Sequence, residues 1–219
     1  MAYYPVFLEM KDRPCIVVGG GAVAERKVEG LLAAGARVTV ISTELTPALA
    51  ALKEDGRLRH VARPYREGDL KGYDLAVVAT DDGGANADVA REGQRRRVWV
   101  NAVDDPANCD FIVPSVIRQG DVVIAASTGG ASPALARRLR EDLEAFLSDD
   151  YAPLTELLHE VRQELRSRGI AVDPQAWQRA MDGPLRTLLA QGRQGEARAR
   201  LLASLGAEAP EARVADSER

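Results

Sequence analysis

A run of three glycines between a short apolar segment and a helical pattern constrains this chain more than any other feature. The run Gly19-Gly20-Gly21 continues as Ala22-Val23-Ala24 and fits the pattern G-x-G-x-x-A. An apolar, β-rich segment at residues 15–18 precedes it, and a helical pattern over residues 22–34 follows. This strand–turn–helix context is the one in which the pattern is typical of a dinucleotide site. We therefore predict a dinucleotide-binding turn here.

Each small residue of the motif has a separate physical role. Gly19 permits the tight turn, Gly21 lets the backbone approach a pyrophosphate, and Ala24 allows close packing of helix on strand. The free N–H groups of Ala22 and Val23 lie at the positive end of the helix, where a phosphate is favoured. The alternative is a glycine turn that binds no ligand.

The residues after the second predicted strand favour NAD over NADP. The acidic residue that usually closes this strand is missing, because residues 38–41 lead into Ser42-Thr43-Glu44. Ser42 or Thr43 is therefore the predicted partner of the adenosine ribose, and Glu44 is a further candidate. Arg37 precedes the strand, so no arginine follows it directly to accept a 2′-phosphate.

A polar segment follows the fourth predicted strand, residues 75–79. It reads Thr80-Asp81-Asp82 and lies at the edge of the sheet where ligands bind. We predict that Thr80 and Asp81 contact the cofactor. The alternative is a loop with an Asx turn that leads into the next helix.

The first half of the chain alternates short apolar runs with helical patterns. The pattern predicts strands at 15–18, 38–41, 58–61, 75–79 and 98–100, and helices at 22–34, 45–53 and 84–96. Alternation at this spacing is typical of a doubly wound parallel sheet. The predicted fold class is therefore α/β and Rossmann-like.

The pattern changes in the second half. Two β runs, residues 111–113 and 122–125, have no helix between them, which predicts an antiparallel hairpin. From Ser132 the chain is helical. We predict a Rossmann domain at 1–112, a dimerisation segment at 113–148, a helical domain at 149–209 and a flexible tail at 210–219.

Composition excludes several classes of protein. No run of about 18 apolar residues is present, so we expect no membrane-spanning helix, and charged residues near the N-terminus argue against a secretory leader. Cys15 and Cys109 are the only cysteines, which favours a reducing cytoplasm over a disulfide framework. The formal net charge of −4 argues against a nucleic-acid partner.

The histidines predict no metal site. His60 and His159 are the only two, and with two cysteines they do not suggest a metal cage. His159 falls on the polar side of its predicted helix, where a solvent-exposed role is favoured. Several arginines of the helical half are candidates for a local basic wall that holds a polyanionic small molecule: Arg137, Arg138, Arg140, Arg162 and Arg166.

The motifs, taken in order, carry a family resemblance. They are Tyr4–Leu8, Val17–Lys27, Leu31–Val40, Ala79–Asp82, Asn101–Asp104, Phe111–Ser115 and Ser127–Pro133. This set resembles the precorrin-2 dehydrogenase family, which is also found as the N-terminal module of trifunctional siroheme synthases. The resemblance is dense over residues 1–148 and holds only in outline for the helical remainder.

The resemblance implies an activity and an assembly. It implies oxidation of precorrin-2 to sirohydrochlorin with NAD, on the route to siroheme. It also implies a homodimer in which the hairpin and the following helix exchange across the two-fold axis. Some members insert ferrous iron as well, an activity for which the sequence has no separate metal-ligand signature. The methyltransferase half of the trifunctional enzymes is expected to be absent.

The resemblance also implies a catalytic carboxylate, Asp104, in an Asn-x-x-Asp motif. Independent chemistry agrees, since dehydrogenation of a reduced tetrapyrrole requires hydride loss to nicotinamide and a proton acceptor. A carboxylate at the end of the fifth strand is placed to be that acceptor. The alternative is that Asp104-Asp105-Pro106 is merely an acidic turn.

A second loop is predicted to hold substrate. The predicted substrate contacts are Asn101, Ser127, Thr128, Gly129 and Ser132. Ser132 is a predicted N-cap with Pro133 at the first helical position, and such a helix start can bind a carboxylate. The alternative for this loop is plain helix capping.

Two other functions remain open at this point. One is a regulatory Rossmann module that senses NAD through its dimer and catalyses nothing. It would need no aspartate beside the nicotinamide. The other is a hydroxyacid-type dehydrogenase, which the absence of a catalytic histidine near the cofactor argues against.

Overall fold

The computed structural model describes residues 3–80 and 82–207. It divides into two compact units, one that ends at Val113 and one that begins at Pro114. Asp81 and the predicted tail, residues 210–219, lie outside the described residues. The predicted division of the second unit into a dimerisation segment, 113–148, and a helical domain, 149–209, stays a prediction.

The first unit is built on a five-stranded sheet. Its strands are β1 (Pro14–Val18), β2 (Arg37–Ser42), β3 (Leu58–Ala62), β4 (Leu75–Val78) and β5 (Trp99–Ala102). Their order across the sheet is β3-β2-β1-β4-β5, and every neighbouring pair is parallel. The predicted α/β, doubly wound architecture is confirmed.

Three helices connect these strands. They are α1 (Ala22–Ala33), α2 (Pro47–Glu54) and α3 (Gly83–Arg96), and a short 3-10 turn follows at Pro106–Asn108. Helix α2 begins two residues later than predicted. The reason is local: Thr46 is its N-cap, with its hydroxyl accepting from the N–H of Leu49 at 3.3 Å, and Pro47 occupies the first helical position.

The strands are apolar on both faces because a core cluster lies against each face. Val17, Val28 and Val40 belong to one cluster, which includes residues of α1 and α2. Ile16 and Val89 belong to the other, on the side of α3. Strands buried on both faces read as continuous hydrophobic runs, as observed here.

The second unit opens with an antiparallel hairpin and continues as helices. Its strands are β6 (Ser115–Gln119) and β7 (Val122–Ala126). The helices are α4 (Pro133–Phe146), α5 (Tyr151–Ser167), α6 (Pro174–Ala180), α7 (Gly183–Ala190) and α8 (Gln194–Ser204). Helices α5 to α8 share one buried core cluster. Among the described residues, no helix is long and apolar enough to cross a membrane.

The predicted first strand of the hairpin, residues 111–113, is wrong. The strand lies at Ser115–Gln119 instead. Phe111 packs against the core of the first unit, and its carbonyl oxygen accepts a 2.9 Å hydrogen bond from Asn101 Nδ2. Pro114 has no N–H to donate to a ladder, so pairing begins only after it.

Candidate functional site

An open cavity lies at the carboxyl ends of the first four strands. It encloses 540 Å³ and includes six of the predicted cofactor residues, Gly19, Gly21, Ser42, Thr43, Glu44 and Thr80. The sequence did not point to Leu45, Thr46, Pro64 and Tyr65, which also line it. This is the crevice outside the strand ends where ligands bind to open α/β sheets.

The first two glycines let the loop pass close to its neighbours. Gly19 has φ +122°, and a Cβ there would lie 2.2 Å from the carbonyl oxygen of Ala79. A Cβ on Gly20 would lie 1.9 Å from the carbonyl oxygen of Glu44. The carbonyl oxygen of Gly20 accepts a 3.0 Å hydrogen bond from the N–H of Thr46. No side chain is compatible with either position.

The third glycine differs, because a Cβ on Gly21 would meet no described atom within 4 Å. Gly21 is the N-cap of α1 and supplies no side-chain cap, so it leaves open space before the helix. The first N–H groups of a helix, here those of Ala22 and Val23, have no intrahelical partner. Open space, free donors and the positive helix end fit the phosphates of a dinucleotide.

The polar residues after β2 differ in burial and in hydrogen bonding. Ser42 is buried and its hydroxyl donates to the carbonyl oxygen of Glu44 at 2.6 Å. His60 Nε2 lies 3.0 Å from the carbonyl oxygen of Ser42 and 3.2 Å from its hydroxyl. Thr43 and Glu44 are exposed at the rim. The side chains open to a ribose here are therefore those of Thr43 and Glu44.

The arginine that follows β3 is held by an acid. Arg63 donates to both carboxylate oxygens of Asp69, at 2.7 and 2.6 Å. The bonds from Arg63 lower the pKa of Asp69, with burial acting in the opposite direction. The guanidinium is thus already paired with a carboxylate.

A buried glutamate of α3 holds the loop that carries Tyr65. Glu92 is 1% exposed and accepts from the hydroxyl of Tyr65, from the guanidinium of Arg96 and from the N–H of Gly68 at 2.8 Å. Burial raises its pKa, but these hydrogen bonds outweigh burial, and the net effect is a lowered pKa. The four-residue spacing of Glu92 and Arg96 suggests an ion pair within a helix. No sequence signal reveals that Glu92 also holds the distant loop of Tyr65 and Gly68.

The segment after β4 starts a helix. Asp82 accepts from the N–H groups of Gly84 and Ala85 at 2.9 and 3.2 Å, and its own N–H donates to the hydroxyl of Thr80 at 3.2 Å. The Asx-turn alternative is confirmed for Asp82. Asp81, predicted to contact the cofactor, lies outside the described residues.

The candidate catalytic carboxylate lies in a strained turn after β5. Asp104 is exposed and has φ +60°, in the left-handed region. The turn is closed by a 3.2 Å hydrogen bond from the N–H of Asp105 to the carbonyl oxygen of Ala102. The side chain of Asp105 accepts from Asn108 Nδ2 at 2.7 Å. Asp105 is thus committed to the turn. Asp104 is not among the described residues that line the cavity.

Lys27 of α1 lies beside this turn, a relationship that the sequence did not reveal. Val103 packs against the cluster that contains Val28, so α1 and the turn face each other. Lys27 is partly buried, and burial together with the charge of Arg26 lowers its pKa, whereas the charge of Asp104 opposes that shift. A cation therefore lies within electrostatic range of the candidate carboxylate.

Asn101 holds the segment that follows this turn. It is buried in β5, and its amide nitrogen donates to the carbonyl oxygen of Phe111 at 2.9 Å. The neighbouring Val100 N–H donates to Asp110 Oδ2 at 2.8 Å. Both bonds tie residues 109–111 to the end of β5.

In the second unit, the predicted substrate loop is internally bonded. The hydroxyl of Ser132 accepts from the N–H of Leu135 at 3.2 Å, which confirms the predicted cap of α4. The hydroxyl of Thr128 donates to the carbonyl oxygen of Ser132 at 3.0 Å, and that of Ser127 accepts from the N–H of Gly129 at 3.0 Å. These bonds fix the shape of the loop before α4.

Comparison with known proteins agrees with this geometry. Residues 6–115 match a family described as putative NAD(P)-binding, and residues 119–145 match one described as sirohaem biosynthesis protein central. The chain is 40% identical to a siroheme synthase of Methylococcus capsulatus, over 98% of this chain and 46% of that protein. It is 42% identical to a siroheme synthase of Thioalkalivibrio sulfidiphilus, over 90% of this chain and 41% of that protein.

A solved structure is similar over its whole length. The protein named SirC, precorrin-2 dehydrogenase, matches with a TM-score of 0.76 and 28% identity, over 92% of this chain and 100% of that chain. The chain spans less than half the length of the siroheme synthases that it matches. These matches confirm the predicted resemblance and a nicotinamide dinucleotide as the cofactor. The chain therefore belongs to the putative NAD(P)-binding family and is similar to siroheme synthases and to a precorrin-2 dehydrogenase.

Proposed function

We propose that this protein oxidises precorrin-2 to sirohydrochlorin with NAD, a step of siroheme biosynthesis. The observation that carries the proposal is the match to a precorrin-2 dehydrogenase over that protein's whole length. The glycine turn, residues 19–21, supports the proposal, because it leaves space and free N–H donors for a dinucleotide. Because the chain covers less than half of its siroheme synthase relatives, their other activities are not part of the proposal.

The charges at the adenosine side support NAD rather than NADP. Glu44 is exposed at the rim of the cavity, where its carboxylate would repel a 2′-phosphate. Arg63 donates two hydrogen bonds to Asp69 and is not offered to a phosphate. In the proposed complex, Gly19, Gly21, Ala22 and Val23 hold the pyrophosphate, Thr43 and Glu44 face the ribose, and Ser42 shapes the loop around it. Thr80 and Asp81 stay proposed contacts of the cofactor.

Asp104 is the proposed proton acceptor. When bound, NAD accepts a hydride from the substrate. The substrate must also release a proton, and the exposed carboxylate of Asp104 lies at the carboxyl end of β5, two strands from the glycine turn, a distance of about 10 Å across the sheet. Loss of one hydride and one proton converts precorrin-2 to sirohydrochlorin and leaves NADH. Lys27, beside Asp104, offers a positive charge to a substrate carboxylate.

The remaining proposed contacts hold the substrate or the turns that meet it. Asn101 is proposed to act through the backbone it binds at Phe111. The loop before α4 is proposed to present a helix start to a substrate carboxylate through Ser127, Thr128, Gly129 and Ser132. Hydrogen bonds within this loop fix its shape.

A homodimer is part of the proposal. Of the α4 side chains, Ala136 alone is buried, while the apolar face predicted from the sequence is exposed: Leu135, Leu139, Leu143 and Phe146. In the hairpin, Ile117 is buried and most other apolar residues are only partly covered. A second copy of this hairpin and helix would cover these faces. Light scattering at micromolar concentration should give a dimer, and a monomer would contradict this part.

The decisive assay supplies precorrin-2 and NAD under anaerobic conditions and follows the sirohydrochlorin spectrum. Enzyme-dependent formation supports the proposal, with a sample lacking protein as control for spontaneous oxidation. NAD binding without any turnover would instead support a regulatory module that senses NAD. Repeating the assay with ferrous or cobaltous ion tests metal insertion. Within the described residues, no group of three or more His, Cys, Asp or Glu side chains is arranged to hold a metal.

A further inference from the structure

A second cavity lies within the helical part of the second unit and includes two of the arginines predicted as a basic wall, Arg162 and Arg166. We call it the helical cavity. It encloses 680 Å³ between α5, the segment that follows α5, and α6. It is lined by Thr155, Leu158, His159, Arg162, Leu165, Arg166, Ile170, Ala171, Val172, Pro174, Trp177 and Met181.

One wall of the helical cavity is basic. His159, Arg162 and Arg166 follow one another on α5 at spacings of three and four residues, so they lie on the same face. The described residues that line the cavity include no acidic side chain. Within residues 3–80 and 82–207, neither Arg162 nor Arg166 forms an ion pair. The nearby Glu164 is instead paired with Arg168 and Arg198.

The other side chains of the lining are mostly apolar or aromatic. Leu158, Ile170, Val172 and Trp177 are partly buried and pack against the core of the helices. Met181 is 37% exposed at its edge. An apolar floor beside unpaired guanidinium groups suits a ligand with an apolar body and carboxylates at its periphery.

We infer that the helical cavity binds a tetrapyrrole polycarboxylate through its ring edge, with Trp177 against the macrocycle and Arg162 and Arg166 on peripheral carboxylates. The identity of the ligand rests on the proposed function, because that function supplies such molecules as substrate and product. The geometry of the cavity does not rest on it. Arginine is suited to this role because its planar fork pairs with a carboxylate through two hydrogen bonds.

The test measures binding without turnover. The chain has two tryptophans, Trp99 and Trp177, so Trp99→Phe leaves Trp177 as the only indole. Uroporphyrin, a stable tetrapyrrole polycarboxylate, is titrated into this variant without NAD while Trp177 fluorescence is followed. We expect saturable quenching. Replacing Arg162 and Arg166 together by Ala should weaken binding by about tenfold or more, since each charge-assisted contact contributes appreciably. Replacement by Lys should restore part of the affinity.

The controls separate this inference from the proposed function. Arg91→Ala with Arg95→Ala removes the same charge from exposed positions of α3 and should leave the titration unchanged. Circular dichroism checks that each variant folds. Quenching that does not saturate, or that the Arg162/Arg166 variant retains in full, would overturn the inference. Either result leaves turnover of precorrin-2 by the wild-type protein as an independent measurement, so failure of one does not imply failure of the other.

Discussion

The N–H of Thr46 donates to the carbonyl oxygen of Gly20 at 3.0 Å and so ties the start of α2 to the middle of the glycine turn. The hydroxyl of Thr46 in turn donates to Glu25 of α1 at 2.5 Å. A side chain at Gly20 would overlap the carbonyl oxygen of Glu44, whereas Gly21 faces open space. Gly20 therefore serves the packing of the fold, whereas Gly21 serves ligand binding.

Alanine at each of these two glycines should separate stability from binding. Gly20→Ala should destabilise the first unit by about 1–3 kcal/mol, because its Cβ would overlap the carbonyl oxygen of Glu44. Gly21→Ala should unfold like the wild type but bind NAD much more weakly, since the methyl group would stand where the pyrophosphate lies. Urea unfolding and calorimetry with NAD measure the two effects. Equal loss of stability in both variants would refute this division.

Removing the charge of Glu92 should damage both the fold and the cofactor site. Glu92→Gln leaves Arg96 without its buried partner and gives Tyr65 a weaker acceptor. We expect a loss on the order of 3 kcal/mol in the free energy of unfolding. NAD affinity should also fall, because Tyr65 lines the cavity. Glu67→Gln, which alters an exposed ion pair to Arg95, is the matched control and should change little.

The second unit should carry an acid-sensitive contribution to stability from Asp150. The hydrogen bonds from Arg186 and Ser148 lower the pKa of Asp150 to about 2, with burial opposing them. A carboxyl whose pKa is depressed in the folded state stabilises that state above its ordinary pKa. The contribution, about 2 kcal/mol, is thus present above about pH 4 and is lost as the pH falls towards 2.

Asp150→Asn tests this pH dependence. Urea unfolding followed by helical circular dichroism should show the variant less stable than the wild type at neutral pH, and the difference should shrink as the pH falls below about 4. Asp149→Asn changes the same charge at an exposed neighbour and should have little effect. A difference between Asp150→Asn and the wild type that stays constant down to pH 3 would show that the ion pair with Arg186 is not its source.

Lys27 should matter for substrate rather than for NAD. We expect Lys27→Met to raise KM for precorrin-2 by about tenfold with a smaller effect on kcat, because a charge-assisted contact to a substrate carboxylate is lost. Lys27→Arg should recover most of the affinity. An unchanged KM in Lys27→Met would mean that the cation beside Asp104 serves only the structure.

The fold was largely predictable from local signals. The glycine run, the apolar strands and the cap at Ser132 each act within a few residues, so the sequence displays them directly. The first hairpin strand was not predictable in the same way. The apolar character of Phe111 serves the core, and its carbonyl oxygen is taken by Asn101, a partner ten positions away that no local pattern reveals.

The candidate site was also predictable only where the signal is local in sequence. Residues of the glycine turn follow from the motif, but Tyr65 reaches the cavity only because Glu92, far along the chain, holds its loop. Lys27 comes to lie beside Asp104 because α1 packs against the turn after β5. Such contacts depend on the order of strands in the sheet. Local sequence patterns do not contain them.

The measurement that tests the account most directly compares Asp104→Ala and Asp105→Ala with the wild type under anaerobic conditions, with precorrin-2 and NAD. Sirohydrochlorin and NADH should form in equal amounts with the wild type. Asp104→Ala should turn over about 10²–10⁴-fold more slowly while NAD affinity barely changes. Asp105→Ala should lose the bond to Asn108 and some stability but keep its turnover. Near-normal turnover by Asp104→Ala, or selective loss in Asp105→Ala, would contradict the account.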